Sequence, residues 1–312
     1  MAEVFDMFFI APFVDMASEP VFLVEVILGG LMAGVMYSLV ALGFVLIYKA
    51  SGVFNYAQGA MVLFAALTLV GLMERAVPLP IAIVLTMVVM VGIAFAIEKY
   101  MLRPLVNQAQ IILFMACIGL NFVFEGAGQI AWGSNVKKLD IGIPDNSFEI
   151  HGVLLNSFEI TAAVSAAVLV AVLALFFQYT PTGRALRAVA DDHQAALSVG
   201  IPLKTIWVIV WSVSGFVALV AGIMWGGKAG VQFSLVLIAL KALPVLILGG
   251  FESVPGAIIG GLLIGVFEKI SEVYWGPAFG GAIEGWFAYM AALAFLMFRP
   301  QGLFGEKIIE RV

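Results

Sequence analysis

VFLVEVILGGLMAGVMYSLVALGFVLIY, Val21 to Tyr48, runs for 28 residues with Glu25 as its one charged side chain. A helix of that length rises roughly 40 Å, at about 1.5 Å per residue, against a hydrocarbon core about 30 Å thick. After this first apolar segment, 21–48, others follow near 57–73, 79–98, 111–132, 160–178, 205–226, 234–249, 254–271 and 282–298. Apolar residues make up 63% of the 312 and charged residues 11%, where soluble domains carry about a quarter. The composition excludes an ordinary soluble protein and predicts an all-α, polytopic membrane bundle of about nine helices, with eight to ten as the range. The segments at 57–73, 234–249 and 254–271 are short and broken by glycine or proline.

Lysine and arginine concentrate in the cytoplasmic loops of membrane proteins. Alternate connections here carry Lys49; Lys99 and Arg103; Arg184, Arg187 and Lys204; and Arg299, Lys307 and Arg311, nine in all, while the opposite set carries Arg75, Lys137, Lys138 and Lys228, only four. The acidic N-terminal segment is therefore expected outside and the C-terminus in the cytoplasm, with an odd number of crossings. The first twenty residues lack the basic region and small-residue cleavage site of a secretory signal, so the mature chain is expected to begin at or near Met1. No soluble domain interrupts 1–312, which reads as a single transmembrane domain. Its longest external connection, 133–159, is either a solvated loop or a docking surface for an external partner.

The net charge of −5 and the absence of basic tracts exclude a nucleic-acid surface. One cysteine, Cys117, and two distant histidines give no disulfide and no metal site. No H-E-x-x-H or nucleophile–base constellation occurs, so no enzyme activity is expected.

Polar groups at membrane depth are costly and face protein or water. Lys241 sits mid-segment beside Pro244, and either pairs with Glu125 or Glu268 or touches the transported solute. Asn121, Glu125 and Gln129 recur every four residues on one helix face. Glu98, Lys269 and Glu284 lie near segment ends, where they are expected to snorkel. Glycines four apart (Gly30/Gly34, Gly222/Gly226, Gly256/Gly260, Gly261/Gly265) allow close helix packing. GVFNYAQGAMV (Gly52 to Val62) and GGFESVPGAII (Gly249 to Ile259) are similar, and each opens a short apolar segment, the pattern of paired broken helices beside a transport pathway.

TPTGRALRAVADDHQAALSVGIPLK, Thr180 to Lys204, reads as a short amphipathic cytoplasmic helix capped by Thr182 and ended by Gly200 and Pro202. Leu186, Val189, His193 and Leu197 share its apolar face; Arg184, Arg187, Asp191 and Asp192 lie on the other, where a cytoplasmic partner would dock.

The stretch GRALRAVADDHQAALSVGI resembles the coupling segment of ABC importer permeases of the branched-chain amino acid type, the LivH family. The resemblance extends to GGLMAGVMYSLVALGFVLIYKASGVFNYAQGAMV, EKYMLRPL, LKALPVLILGGFESVPGAIIGGLLIGVFE and FRPQGLFG, in the same order. It implies a type II-like importer permease in a bacterial inner membrane. The implied partners are a second homologous, LivM-like permease, two cytoplasmic ATPases and a periplasmic or extracellular solute-binding protein. It also implies that the segment from Gly183 through Arg184, Arg187, Asp191 and Asp192 to Gly200 contacts an ATPase. The segments around Phe54, Asn55, Gln58 and Gly59, and around Gly249, Gly250 and Pro255, would lie by the pathway with Asn121, Glu125 and Lys241. Where many relatives read N-F-A-H-G-E or N-F-A-Q-G-E, this chain reads Asn55-Tyr56-Ala57-Gln58-Gly59-Ala60.

No G-x-x-x-x-G-K-[ST] is present, so this chain binds no cofactor of its own; ATP and magnesium belong on the partners. The expected cargo is a branched-chain or other neutral amino acid. The same architecture importing urea, short amides or aromatic carboxylates is the alternative, and an ion-coupled carrier using Glu125 and Glu268 the more distant one.

Overall fold

The computed structural model describes residues 2–105, 108–144, 146–191, 196, 198 and 200–305. It is a helical bundle built around α3 (Pro20–Ser51), whose turns from Met36 to Ile47 are buried on every side. Before it come α1 (Ala2–Phe9) and α2 (Ala11–Ser18). The middle of the chain supplies α4 (Gln58–Met73), α5 (Leu79–Ile97) and α6 (Gln110–Trp132). A hairpin, β1 (Ser147–Ile150) and β2 (Val153–Asn156), then leads into α7 (Ser157–Tyr179), α8 (Pro181–Asp191) and α9 (Leu203–Ala229). The chain closes with α10 (Ile238–Gly249), α11 (Val254–Tyr274), α12 (Gly276–Phe279) and α13 (Glu284–Phe298). α11, α9, α7 and α10 pack directly on α3, and α4 sits between α9 and α6.

Every apolar segment expected to be helical is helical. Among the described residues, six helical runs are long and apolar enough to cross a membrane: Pro20–Ser51, Leu79–Leu102, Gln110–Trp132, Ser157–Tyr179, Leu203–Ala229 and Val254–Tyr274. Gln58–Met73, Phe233–Gly249 and Glu284–Phe298 are shorter apolar helices that fall below that length. The 16 residues of α4 reach about 24 Å at 1.5 Å each. Being buried nearly throughout, α4 meets protein rather than lipid at its ends.

Local chemistry sets the helix ends. α3 stops where Gly52 turns to φ +66 and its N–H returns to the Tyr48 carbonyl at 2.7 Å. α11 starts on Ser253, whose Oγ accepts the Gly256 N–H at 3.0 Å, with Pro255 in the first turn. α7 starts on Asn156, whose Oδ1 accepts from the backbone of Phe158 (2.8 Å) and Glu159 (3.2 Å). Asn156→Ala should cost about 1 kcal/mol. A correspondingly lower thermal midpoint in detergent checks this; an unchanged one would show that the cap contributes nothing.

The 133–159 connection is more ordered than a plain loop. Its hairpin closes on His151 (φ 53) and Gly152 (φ 85), two left-handed residues that match the twist of paired strands. Lys137 exchanges backbone hydrogen bonds with Val231 and pairs with Glu74 at 2.6 Å, tying this connection to the ends of α4 and α9. The chain start is also fastened down. Trp275 Nε1 donates to the Phe8 carbonyl at 3.0 Å, and the Phe13 ring meets Trp275 edge-on.

Candidate functional site

Three polar constellations lie within the bundle. The first is the break between α3 and α4. Asn55 and Gln58 are fully buried there, which in an apolar core requires partners. Asn55 Oδ1 accepts the Ala57 N–H (3.2 Å) and its Nδ2 donates to Gln58 Oε1 (3.1 Å), which also accepts from Ser214 Oγ of α9 (2.7 Å). The break thus holds a buried hydrogen-bonded set rather than a plain solvent loop, although Gln58 Nε2 finds no partner among the described residues and Tyr56 is exposed. Gly59 lies where a side chain would press on the Val236 carbonyl, so α4 starts in direct backbone contact with the turn before α10.

Phe54 joins this break to its counterpart between α10 and α11. Its ring stacks on Phe44 (5.2 Å between centroids) and meets Phe251, from GGFESVPG, at 6.1 Å. The two similar segments therefore come together in space, with the phenylalanine at the third position of each in contact. Gly249 and Gly256 face each other backbone to backbone, Gly250 adopts φ +102, and the C-terminal FRPQGLFG segment folds over them through Leu303 N–H to Leu248 O (2.7 Å). Pro255 is exposed beside them.

The second constellation is on α6. Asn121 Nδ2 donates to Glu125 Oε1 at 2.5 Å, while Asn121 Oδ1 is buried without a partner. Asn121 lines a small cavity with Phe54, Tyr56, Leu240 and Leu243, so α6, the α3–α4 break and α10 share one wall.

The third centres on Lys241. Its Nζ lies 2.8 Å from Glu268 Oε1, 3.2 Å from Glu284 Oε1 and 3.5 Å from Tyr37 Oη. Tyr37 donates in turn to Glu268 (3.1 Å) and stacks on Trp225. Of the two partners expected for Lys241, Glu268 is the one found; Glu125 is engaged by Asn121. Glu284 does not snorkel as expected but closes the triad. Glu98 is likewise buried, its carboxylate held by Arg103 at 2.8 Å.

Hydrocarbon cannot solvate these groups. Lys241 and Glu284 keep 32% and 40% of their side-chain exposure, so charge reaches the surface where α10 packs on the start of α13. α5 and α7 differ. No charged residue occurs between Leu79 and Ile97 or between Ile160 and Gln178, and their exposed side chains include Val84, Val88, Val168 and Val172.

At the Lys49 end, α8 is fastened to α7. The cap is Thr180, whose Oγ1 accepts the Gly183 N–H at 3.0 Å, and not Thr182; Pro181 occupies the first helical position and sets the start. Arg187 donates to the Phe177 (2.6 Å) and Gln178 (3.2 Å) carbonyls, and Arg184 to that of Tyr179 (3.3 Å). These are the unpaired carbonyls at the end of α7, a site that favours cations. Both arginines, expected to point at a partner, thus brace α8 against α7. Leu186 and Val189 are buried as expected. Asp191 ends the helix, Gly200 turns at φ 85, and Asp192, His193 and Leu197 lie outside the described residues. Tyr37 and Ser214 carried no signal in the sequence, because their roles depend on partners more than a hundred residues away.

A family model described as branched-chain amino acid transport system, permease component, matches residues 26–298. The high-affinity branched-chain amino acid permease protein BraD of Pseudomonas aeruginosa is 29% identical over 301 residues, covering 92% of this chain and 97% of that protein. LivH of Escherichia coli is 26% identical over 317 residues, covering 95% and 100%. A probable LivH of Methanocaldococcus jannaschii is 27% identical over 291 residues, covering 86% and 88%. The solved structure of PsaBC from Streptococcus pneumoniae in complex with Fab aligns at a TM-score of 0.47 and 16% identity, covering 86% of this chain and 89% of that one.

Proposed function

The chain belongs to the branched-chain amino acid permease family of ABC transporters, and we propose that it is the membrane subunit of an ATP-driven importer for branched-chain or other neutral amino acids. It pairs with a second, homologous permease, receives its solute from an external binding protein, and is driven by two cytoplasmic ATPases that hold ATP and magnesium. Its N-terminus lies outside and its C-terminus in the cytoplasm. One observation carries this reading beyond family membership: part-exposed charges sit within apolar helices, Lys241 of α10 with Glu284 of α13, and Glu125 with Asn121 of α6 beside the same α10. Such a surface suits a second permease and a wetted path between the two, while the apolar α5–α7 face suits lipid.

In this reading α8 transmits the ATPase stroke. Neutralising Arg184 and Arg187 together should lower solute-stimulated ATP hydrolysis by about fivefold or more, with the assembled bundle retaining its size and a midpoint within a few degrees of the parent. Unchanged stimulation in the properly assembled variant would count against α8 as the coupling element.

The direct test is ATP hydrolysis by the complex co-purified with this chain, reconstituted with its binding protein, with and without leucine. Stimulation by leucine is expected. Hydrolysis that leucine leaves unchanged would move the cargo towards urea, short amides or aromatic carboxylates. Absence of any ATPase would favour an ion-coupled carrier.

A further inference from the structure

A cavity of about 370 Å³ opens beside α8, at the Lys49 end of the bundle. Its floor is Leu46 and Lys49 of α3. One wall is the α7–α8 junction, with Ala174, Phe177, Leu186 and Arg187; the other is the Glu252 to Pro255 turn and Phe304. Three charged residues line it, and Lys49 and Glu252 make no side-chain hydrogen bond or ion pair among the described residues. Elsewhere in the bundle, Arg103, Lys137, Lys228 and Lys241 each close on a carboxylate within 3.2 Å. Arg187 uses two N–H groups on the Phe177 and Gln178 carbonyls, which leaves three of the five donors of a guanidinium.

Two cations, one carboxylate and an apolar lining match one class of ligand, a zwitterion with an apolar body. We propose that this cavity is a regulatory site for a small apolar amino acid taken from the cytoplasm. The ligand carboxylate lies between Lys49 and Arg187, its ammonium faces Glu252, and its side chain rests on Ala174, Val254 and Phe304. An anionic lipid headgroup would satisfy the cations but meet Glu252 as a like charge. The occupant bridges α8 to the start of α11 across this space, and so holds the coupling helix still. Imported solute accumulating inside would thereby slow its own entry. The inference rests on the amino-acid and orientation readings proposed above.

The test uses the complete complex in liposomes with ATP enclosed, measuring the initial rate of labelled leucine uptake with the lumen empty or preloaded with unlabelled leucine or isocaproate, which lacks the ammonium. Leucine inside is expected to lower the rate about fivefold, and isocaproate to inhibit about tenfold more weakly. Lys49→Gln and the cavity-filling Ala174→Phe should take up leucine at the parental rate from empty vesicles and escape inhibition. Equal inhibition in parent and variants, or by leucine and isocaproate, overturns the site. So does inhibition that follows the anionic phospholipid content of the vesicles instead of luminal leucine, which would make a lipid the occupant. If the parent takes up no leucine into empty vesicles, the amino-acid reading fails first and this site falls with it.

Discussion

Gly265→Leu is expected to abolish assembly of the bundle. α3 and α11 cross with Gly30 and Gly34 against Gly261 and Gly265, and what each glycine faces is main chain. A methyl group on Gly34 would lie 2.6 Å from the Gly261 carbonyl oxygen, and one on Gly30 would lie 2.7 Å from the Val266 Cα. A side chain on Gly265 would run into the Gly30 carbonyl and the Gly34 backbone. Ser38 seals the crossing by donating to the Ile258 carbonyl at 3.1 Å. An ordinary overpacked core site costs about 1–3 kcal/mol because neighbouring side chains can turn aside. Here two helices would have to separate, so the cost should exceed about 4 kcal/mol, a large part of the ~5–15 kcal/mol that holds a typical domain. The readout is the yield of monodisperse protein after detergent extraction. Gly92→Leu is the control, since nothing lies within 4 Å of a side chain added on that exposed face of α5; it should extract like the parent. A Gly265→Leu protein with parental yield and midpoint would refute this packing of α3 on α11.

Both glycine pairs could be read from the sequence as packing surfaces, but not that they pack on each other. A four-residue spacing identifies a smooth strip on one helix, and its partner strip, over two hundred residues away, is chosen by the whole fold. The helices themselves were legible because hydropathy acts locally. The number of crossings was less so. α4 is apolar all round like a membrane span, yet it is short because its surroundings are protein. In α8 the amphipathic face was correct at Leu186 and Val189, while the cap moved to Thr180 because Pro181 fixes where the helix starts. The bonds of the two arginines to α7 were not legible for a geometric reason: helical spacing says which face a side chain occupies, and not that the carbonyl end of α7 is within reach of that face. Glu284 had the sequence position of a snorkelling end residue. Only the placement of α13 beside α10 shows it meeting Lys241.

Lys241→Met is expected to destabilise the protein sharply, and Lys241→Met combined with Glu268→Gln to restore most of the loss. Glu268 is 3% exposed. Removing its cation leaves a buried carboxylate with one neutral donor, the Tyr37 hydroxyl, and with Glu284 nearby as a second negative charge. Breaking a fully buried pair costs about 3–5 kcal/mol; because Lys241 keeps about a third of its exposure, about 2–3 kcal/mol is the expectation here. Glu268→Gln alone should cost less, about 1 kcal/mol, since Lys241 retains Glu284 at 3.2 Å and the amide still accepts from Tyr37. In the double variant no charge is stranded at position 268, and the cycle should return a coupling energy of about 2–3 kcal/mol. Thermal midpoints of the four proteins give the cycle, and a Lys241→Met protein with the parental midpoint would sink it. Uptake by the double variant then separates the two roles open to Lys241. A triad that only holds α10, α11 and α13 together should transport at the parental rate once stability is restored. A triad that also meets the solute should stay slow in a protein as stable as its parent, because a thioether in place of the ammonium presents no charge to a zwitterion passing it.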